Sequence, residues 1–276
     1  MTASTPPKLL EYNADTPAAL LEAAVVQWKW LEERSPDSDQ FNSIWEGLVE
    51  KWTQLRTNHA LSGPIVHFAH LDTIEEFMTV AVLRDTAHEA GLTTEAMLMQ
   101  EIGWDRSRNV FVDLRNRPVQ TIFKLYPWEW LLEDQFAPQL LESFDRTLWI
   151  EPIWKMIVAN KAILPILWEL YPDHPNLLAC YADGPRDLTA FVEKPLLGRE
   201  GGNVSIFDEQ SEVGRDFGYG MEGSVYQQLY DLPCYDGKYP VIGSWVIDGV
   251  SRGIGIRESS GRITNELSSF VPHLFC

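Results

Sequence analysis

The sequence predicts an α+β protein in which helices and a small parallel sheet come first and antiparallel strands follow. Three patterns support this: apolar residues at helical spacing between positions 17 and 55, a strand–helix–strand pattern between 65 and 99, and closely spaced strand patterns after Leu188. With 276 residues, of which 45% are hydrophobic, the chain can bury a large core in one or two domains.

The segment LLEYNAD at residues 9–15 carries the first candidate site. Its two leucines predict a short strand, along which alternate side chains share a face. Glu11, Asn13 and Asp15 would then present oxygens on one side, and Mg²⁺ prefers oxygen ligands. Alternatively, these polar residues cap and solvate a helix start, because Thr16-Pro17 has the pattern of an N-cap followed by proline at the first helical position.

Two amphipathic helices are predicted next, the first at 17–33 and the second at 41–55. We assign the aromatic residues that lie along their apolar faces to the core: Trp28, Phe41, Trp45 and Trp52. A strand at 65–69, a helix at 73–90 and a strand at 94–99 then predict a small parallel sheet. This unit lacks a GxGxxG motif, so a Rossmann dinucleotide site is not predicted.

Short strands are predicted at 110–113 and 119–124, joined by a turn at Asn116-Arg117-Pro118, and a helix-rich stretch covers 128–168. Further strands are predicted at 189–194, 203–207, 224–230, 239–247 and 250–257. The Asp248-Gly249 pair between the last two is a strong hairpin signal.

Charge and cysteine content exclude several classes of protein. Lysine and arginine number 22 against 40 acidic residues, and the net charge of −18 would repel a nucleic acid and attract a polyamine, although acidity also simply favours solubility. Three widely separated cysteines predict neither a zinc site nor a disulfide framework. Without an apolar span or a signal peptide pattern, we expect a cytoplasmic protein that does not enter membranes.

The sequence GREGGN at 198–203 is a candidate phosphate loop. Glycines allow backbone N–H groups to approach phosphate oxygens closely, and Arg199 can grip a phosphate. Lys194 lies at the end of the preceding predicted strand, and a lysine at a strand end beside a glycine loop suits a nucleotide. A flexible hairpin loop and a solvated surface lysine are the simpler alternatives.

Three further positions are candidates. Lys161 lies among apolar neighbours, where it is either a phosphate ligand or a surface lysine whose stem covers apolar atoms. Gln227-Gln228 ends a predicted strand and could present an edge to adenine. Arg257 ends another strand, where a guanidinium would face an anionic substrate.

Taken together, these motifs resemble the glutathionylspermidine synthase family, in particular its synthetase-like members without an amidase domain. The similarity runs in collinear order over nearly the whole chain, through LLEYNADTPAALLEA, KLYPWEW, VEKPLLGREGGNVSI, VYQQLYDLP, IGSWVIDG and GIGIRE. The resemblance implies a permuted ATP-grasp fold with a small pre-ATP-grasp-like α/β region. It also implies a carbon–nitrogen ligase that uses ATP and Mg²⁺ to join a peptide-like acid to an amine.

The resemblance also implies roles for individual residues. Glu11 and Asn13 match the Mg²⁺ ligands of the family, and Lys161 and Lys194 match its ATP-contacting lysines. The remaining matches are Arg199 with the mobile-loop arginine over the transferred phosphate, Gly198 with the same loop, Gln227 and Gln228 with the adenine pocket, Arg257 with an arginine near the reacting centre, and Glu75 with an acidic substrate-binding residue.

Two departures from the family pattern weaken glutathione as the acid. Thr16, Pro17 and Ala18 stand where glutathione-binding members carry serines, and Leu125 replaces a threonine. The resemblance also implies that a further N-terminal segment with an Arg-x-Asp motif is missing here, so we expect that a nucleotide-binding protein without full ligase activity is the main alternative.

We therefore predict a metal-binding strand and two helices in 1–60, a pre-ATP-grasp-like region in 61–125, and a helical segment with a nucleotide-binding region in 126–276. The oligomeric state and the identities of the acid and the amine do not follow from the sequence.

Overall fold

The structure is a computed structural model that describes residues 6–276 and combines helices with parallel and antiparallel sheets. After a π-helical turn at Glu22–Val26, the helices are α1 (Gln27–Arg34), α2 (Ile44–Thr57), α3 (Ile74–Glu89), α4 (Trp128–Glu133), α5 (Ala137–Glu142), α6 (Lys155–Ala159) and α7 (Ile163–Leu170). The strands are β1 (Val66–His70), β2 (Thr94–Leu98), β3 (Gly103–Asp105), β4 (Val110–Val112), β5 (Thr121–Leu125), β6 (Leu148–Ile150), β7 (Cys180–Tyr181), β8 (Phe191–Pro195), β9 (Ser205–Phe207), β10 (Glu212–Val213), β11 (Ser224–Gln228), β12 (Tyr239–Ile247), β13 (Val250–Ser259) and β14 (Ser269–Val271). The mixed α and β content predicted from the sequence is confirmed.

The chain forms two compact units, each built from separate segments. The parallel-sheet unit contains Asp15–Met156, Gly243–Gly255 and Pro272–Cys276. The antiparallel-sheet unit contains the described residues up to Ala14 together with Ile157–Ile242 and Ile256–Val271. The division into three consecutive regions at residues 60 and 125 stays a prediction.

The parallel-sheet unit is centred on four parallel strands in the order β2-β1-β5-β6. Helix α3 connects β1 to β2, so the predicted strand–helix–strand unit is confirmed with its ends shifted by about one residue. Strands β1 and β5 are buried along their whole length, as parallel strands usually are. One core cluster of this unit contains Ala69, Met97, Ile102, Phe111, Val119, Ile122, Trp128, Leu131 and Leu140.

The first helical segment begins at Leu20 rather than at Pro17, so the predicted proline start is wrong. Ala19 has a φ of 61°, which no right-handed helix accommodates. The assignment of every aromatic residue of these two helices to the core is also wrong. Trp52 is 4% exposed, but Trp28 is 39% and Phe41 is 59% exposed.

A buried ion pair joins Asp15 to strand β5. The Lys124 ammonium is fully buried and donates to Asp15 Oδ1 at 2.6 Å and to the Tyr126 carbonyl at 2.8 Å. Asp15 Oδ2 accepts the backbone N–H of Trp128 at 2.8 Å. Asp15 therefore does not join Glu11 and Asn13 as a third oxygen ligand, because both of its oxygens are engaged within the parallel-sheet unit. Residues 9–14 lie outside the helices and strands of the structure, so the predicted short strand at Leu9–Leu10 is wrong.

The antiparallel-sheet unit contains a five-stranded sheet in the order β10-β9-β8-β11-β7. The hairpin of β12 and β13 contributes residues to both units, and β13 pairs with β14. The turn between β12 and β13 is formed by Asp248 and Gly249, whose φ values of 53° and 78° match the turn type that the sequence indicates. Within residues 6–276 no helix is both long and apolar enough to cross a membrane.

The predicted turn at 116–118 is organised by the side chain of Asp113, which is 6% exposed. Its Oδ1 accepts the backbone N–H groups of Arg115 and Arg117 at 2.9 Å, and its Oδ2 accepts Arg117 Nε at 2.6 Å. Burial raises the pKa of Asp113, but these hydrogen bonds from Arg117 and Arg115 outweigh it, and the net pKa is lowered.

The replacement Asp113→Asn removes the charge that this turn requires. Because the folded-state pKa is lowered, the contribution of the carboxylate to stability is complete above the unfolded pKa of about 3.9 and is lost as the pH falls through the folded pKa. We expect the variant to lose about 2 kcal/mol of unfolding free energy at neutral pH, and the difference from wild type to disappear in strong acid. Urea unfolding across this pH range measures both effects.

The control is Asp145→Asn, since the Asp145 side chain is 61% exposed and its contact with Arg146 is long, at 3.7 Å. It should leave the unfolding free energy unchanged at every pH. A difference between wild type and Asp113→Asn that did not depend on pH would contradict the proposed role of the charge.

Candidate functional site

Residues 7–10 are fastened along one edge of the antiparallel-sheet unit by contacts with a segment far away in the chain. Leu9 N–H donates to the Asn176 carbonyl at 2.8 Å, and Lys8 Nζ donates to the Pro175 carbonyl at 2.6 Å. The Leu9 side chain packs against a small core cluster that contains Leu164, Cys180 and Val225. These contacts fix the backbone that leads into Glu11.

Lys194 and Gln227 complete this attachment from neighbouring strands. Lys194, on β8, is 8% exposed and donates to the Leu10 carbonyl at 2.8 Å and to Gln227 Oε1 at 2.7 Å. Gln227, on β11, is 2% exposed and donates from Nε2 to the Leu9 carbonyl at 3.1 Å. The antiparallel register places the two side chains together, because Lys194 lies opposite Val225 and Gln227 lies two residues further along.

A second lysine meets Glu11 at the start of the glycine loop, which we define as residues 198–202. Lys161 is 7% exposed, and its ammonium donates to the Gly198 carbonyl at 2.5 Å and lies 3.5 Å from Glu11 Oε2. Asn13 Nδ2 donates to Glu11 Oε1 at 3.4 Å, so Glu11 and Asn13 share one side of their segment, as alternate residues should. We call Glu11, Lys161 and Lys194 the lysine cluster.

Burial and neighbouring charges shift the pKa values of Glu11 and Lys194. Burial raises the pKa of Glu11, but Lys161 and Lys194 together with the Asn13 hydrogen bond lower it more, so the carboxylate is ionised at neutral pH. Burial lowers the pKa of Lys194 to about 8, against the opposing effect of Glu11. Two buried lysine side chains against one half-exposed carboxylate leave an excess of one positive charge, which favours a polyanion.

The residues of the lysine cluster fit a magnesium-bound phosphate group. Glu11 is 44% exposed on its side chain and ionised, and Asn13 adds an amide oxygen beside it. In the part of the chain that the structure describes, no three His, Cys, Asp or Glu side chains are grouped to hold a metal ion. Mg²⁺ does not need such a group, since it commonly binds through one or two carboxylates and the phosphates of its substrate.

The other candidate residues of this unit lie in different surroundings. Gln228 is exposed, and its backbone N–H donates to the Ala179 carbonyl at 2.7 Å. Arg199 is half-buried in the glycine loop. Arg257, on β13, donates to the Asn265 carbonyl at 2.9 Å. The structure thus unites Glu11, Lys161, Lys194 and Gln227, while the roles expected for the others stay predictions.

Glu75 belongs to the parallel-sheet unit, where it is exposed in the first turn of α3. Next to this turn, an open cleft of about 530 Å³ lies at the carboxyl ends of β1 and β2. Glu75 itself does not line the cleft. Its walls combine apolar and polar side chains: His70, Asp72, Thr73, Ile74, Phe77, Ala96, Met97, Leu98 and Glu101.

Two acidic residues of this cleft, Asp72 and Glu101, were not predicted from the sequence. A signal for them exists, because both follow predicted parallel strands, and ligands of parallel sheets bind beyond the carboxyl ends of the strands. Gln227 was expected to face adenine, whereas its amide is engaged by Lys194 and Leu9. The sequence signal for this role is that Gln227 lies two residues after Val225 and so shares with it one face of the strand, which is the buried face.

The pair of neighbouring glutamines allows a matched test of the contacts that Gln227 makes with Lys194 and with the Leu9 backbone. Gln227→Met keeps the side-chain length but leaves the Leu9 carbonyl without its donor and removes one acceptor from the buried Lys194 ammonium. We expect a loss of about 2 kcal/mol of unfolding free energy in urea. Gln228→Met, on the exposed side of the same strand, should stay within about 0.5 kcal/mol of wild type. Equal losses in the two variants would show that the Gln227 amide does not stabilise the fold.

Known proteins are similar to this chain along nearly its whole length. The family model described as "Glutathionylspermidine synthase preATP-grasp" matches residues 1–276. The chain is 42% identical over 282 residues to a putative acid–amine ligase of Haemophilus influenzae, an alignment that covers 97% of the chain and 71% of that protein.

Two longer relatives are also similar. The trypanothione synthetase of Crithidia fasciculata is 34% identical over 291 residues, which cover 96% of the chain and 44% of that protein. The bifunctional glutathionylspermidine synthetase/amidase of Escherichia coli is 30% identical over 291 residues, which cover 96% of the chain and 46% of that protein. The chain thus spans less than half the length of these two relatives. The match of the family model over all 276 residues shows that this protein belongs to the glutathionylspermidine synthase family.

Proposed function

We propose that the protein is an ATP-dependent carbon–nitrogen ligase that joins a peptide-like carboxylic acid to an amine. In the proposed reaction a carboxylate oxygen of the acid attacks the γ-phosphorus of ATP, which forms an acyl phosphate and releases ADP. The amine nitrogen then attacks the acyl carbon, phosphate leaves with the bonding electron pair, and the amine loses a proton. The products are an amide, ADP and inorganic phosphate.

The lysine cluster is the observation that carries this proposal. Lys161 and Lys194 are both less than 10% exposed. The Lys161 ammonium lies 3.5 Å from Glu11 Oε2, and the charge of Lys194 also lowers the pKa of this single carboxylate. Buried ammonium groups without an equal number of acidic partners are costly, so they indicate a site whose missing negative charge comes from a ligand. A nucleotide polyphosphate is the ligand that the neighbouring glycine loop also suits.

Within this proposal seven candidate residues of the antiparallel-sheet unit have defined tasks. Lys161 and Lys194 bind phosphate oxygens, and Glu11 and Asn13 orient the Mg²⁺ that accompanies ATP. When bound, the metal ion neutralises charge on the phosphoryl group in transfer. Arg199 adds positive charge over that group from the glycine loop, and Arg257 faces the reacting carboxylate. Gln228 and the β11 segment line the adenine pocket.

The proposed fold of this unit is a permuted ATP-grasp fold. Two features support it: the extended segment with Glu11 and Asn13 precedes Lys161 and Lys194 in the sequence, and antiparallel strands carry the later lysine and the glutamines.

We further propose that the cleft beside Glu75 receives the amine. Asp72 and Glu101 line it, Glu75 adds a third carboxylate near its rim, and Ile74 and Phe77 provide apolar surface for an aliphatic chain. A net charge of −18 attracts cationic substrates generally. The names of the relatives, which include spermidine and trypanothione products, agree with a polyamine-like substrate.

Mg-ATP should stabilise the folded protein through the lysine cluster. At a nucleotide concentration about a hundred times the Kd, a ligand that binds only the folded state adds about 2.7 kcal/mol, which raises the Tm by several degrees. Lys194→Met and Lys161→Met should each abolish most of this shift, because each removes a phosphate-binding charge. Thermal unfolding of the purified chain with and without Mg-ATP measures it.

The matched control is Lys29→Met, which removes an exposed lysine from α1 and should keep the full shift. The Tm without nucleotide shows whether each variant folds. An unchanged shift in both cluster variants would exclude the lysine cluster as the nucleotide site. Phosphate release with panels of peptides and polyamines then separates a ligase from a protein that binds ATP without turnover.

Glu75→Gln should weaken the binding of the amine and leave the binding of the nucleotide unchanged. Loss of one exposed carboxylate near a cationic substrate should raise the KM for the amine about fivefold, while kcat at saturating amine and the KM for ATP stay unchanged. Glu46→Gln is the control, because Glu46 is also an exposed glutamate in the first turn of a helix. Equal effects of the two variants on the KM for the amine would refute a specific role for Glu75.

A further inference from the structure

The glycine loop is bound to a second segment, residues 215–219, which we call the docking arm. The amide of Asn203, directly after the loop, makes three hydrogen bonds to this arm. Asn203 Nδ2 donates to Asp216 Oδ1 at 2.7 Å, and Asn203 Oδ1 accepts the backbone N–H groups of Phe217 at 2.8 Å and Tyr219 at 3.2 Å. A single side chain therefore organises both the loop end and the arm.

The glycines of the loop serve close packing rather than flexibility. A Cβ on Gly202 would lie 2.5 Å from Phe217 Cδ2, and a Cβ on Gly201 would overlap the Thr264 carbonyl oxygen. Gly202 is buried. The loop is thus enclosed between the docking arm on one side and residues 263–264 on the other, and a simple mobile hairpin would not require this.

Asn203 suits its position in a second way. Its φ is 55°, in the left-handed region that asparagine tolerates better than most residues. Its backbone N–H donates to the Arg215 carbonyl at 2.8 Å, which extends the contact with the arm. The Asn203 amide is also the main cause of the lowered pKa of Asp216, ahead of the Gly218 N–H, so the charge of Asp216 favours this contact.

We infer that Asn203 is a positioning residue that holds the glycine loop, and with it Arg199, against the docking arm before any nucleotide binds. The inference rests on the proposed function, because Arg199 is the residue through which Asn203 would influence phosphoryl transfer. Preorganisation of a charged group lowers the cost of aligning it at the moment of reaction. Asn203 itself does not need to touch ATP.

Three variants separate the side chain from the backbone. Asn203→Gly removes all three hydrogen bonds but accepts a positive φ without strain. Asn203→Asp retains the oxygen acceptor, loses the donor and opposes Asp216 with a second negative charge. The double variant Asn203→Asp with Asp216→Asn reverses donor and acceptor and restores the three contacts of position 203. It loses one bond, because the amide nitrogen that then faces position 203 cannot accept the Gly218 N–H, which Asp216 Oδ1 accepts at 2.9 Å.

Amide hydrogen exchange measures how firmly Asn203 holds the glycine loop to the docking arm, and steady-state kinetics measures the effect of this contact on turnover. In Asn203→Gly we expect exchange in residues 198–204 and at Phe217 and Tyr219 to accelerate about tenfold, with kcat lowered about tenfold and the KM for ATP within about twofold of wild type. Asn203→Asp should be slower to turn over and faster to exchange than wild type, and the double variant should recover part of both losses, since only the Gly218 N–H then lacks its acceptor. Exchange in β1, in the parallel-sheet unit, should not change in any variant.

Each outcome supports or overturns the inference. Unchanged exchange in Asn203→Gly would show that Asn203 does not hold the loop, and faster exchange with unchanged kcat would show that the docked loop has no part in the reaction. A double variant no better than Asn203→Asp would refute the Asp216 contact. A wild-type chain without ATP turnover would instead refute the proposed function, while the exchange rates would still decide whether Asn203 holds the loop.

Discussion

The candidate site depends on one buried ammonium group, that of Lys194. It joins the backbone of Leu10 to the side chain of Gln227, and Gln227 in turn holds the backbone of Leu9. Burial of a lysine is expensive, and the hydrogen bonds to two oxygens offset only part of that cost, as the lowered pKa shows. Burial therefore disfavours the positive charge of the ammonium group that holds the Glu11 segment to the sheet, and a bound anion would stabilise that charge. Lys194 thus has one observed role and one proposed role. It attaches the segment that carries the Glu11 carboxylate, and we propose that it also binds phosphate.

Regular patterning made much of the fold predictable. The parallel unit of β1, α3 and β2 follows from two short apolar runs and a helical period between them, and the hairpin at Asp248-Gly249 follows from its turn residues. The charged candidates that come together, Glu11, Lys161 and Lys194, were first selected from local patterns and then matched to motifs of the family. The family itself is confirmed by the match over the whole chain. In each case the signal was local in sequence or carried by several motifs in fixed order.

The failures arise where tertiary contacts override local signals. Thr16-Pro17 has a good helix-start pattern, yet Ala19 adopts a positive φ and the helix begins after it. Asp15 matches the alternation of Glu11 and Asn13, but Lys124, distant in sequence and fully buried, takes its carboxylate. The roles of Gln227 and Asn203 depend in the same way on partners that only the folded chain brings near. Patterns of a few residues carry no information about such partners, so the contacts of Asp15 and Asn203 did not follow from the sequence.

The attachment of residues 7–10 has a consequence for how the protein is made. Lys194 lies 184 residues after Leu10, and Gln227 lies 218 residues after Leu9, so these bonds close some of the longest loops available to the chain. Loop closure of this length is an entropic cost that must be met before the contacts stabilise anything, and it slows folding. During synthesis, Glu11 and Asn13 leave the ribosome long before β11 does. Until β11 follows, the Leu9 side chain lacks the Val225 side chain against which its core cluster packs, and the backbone before Glu11 lacks the Lys194 and Gln227 contacts that hold it in the folded protein.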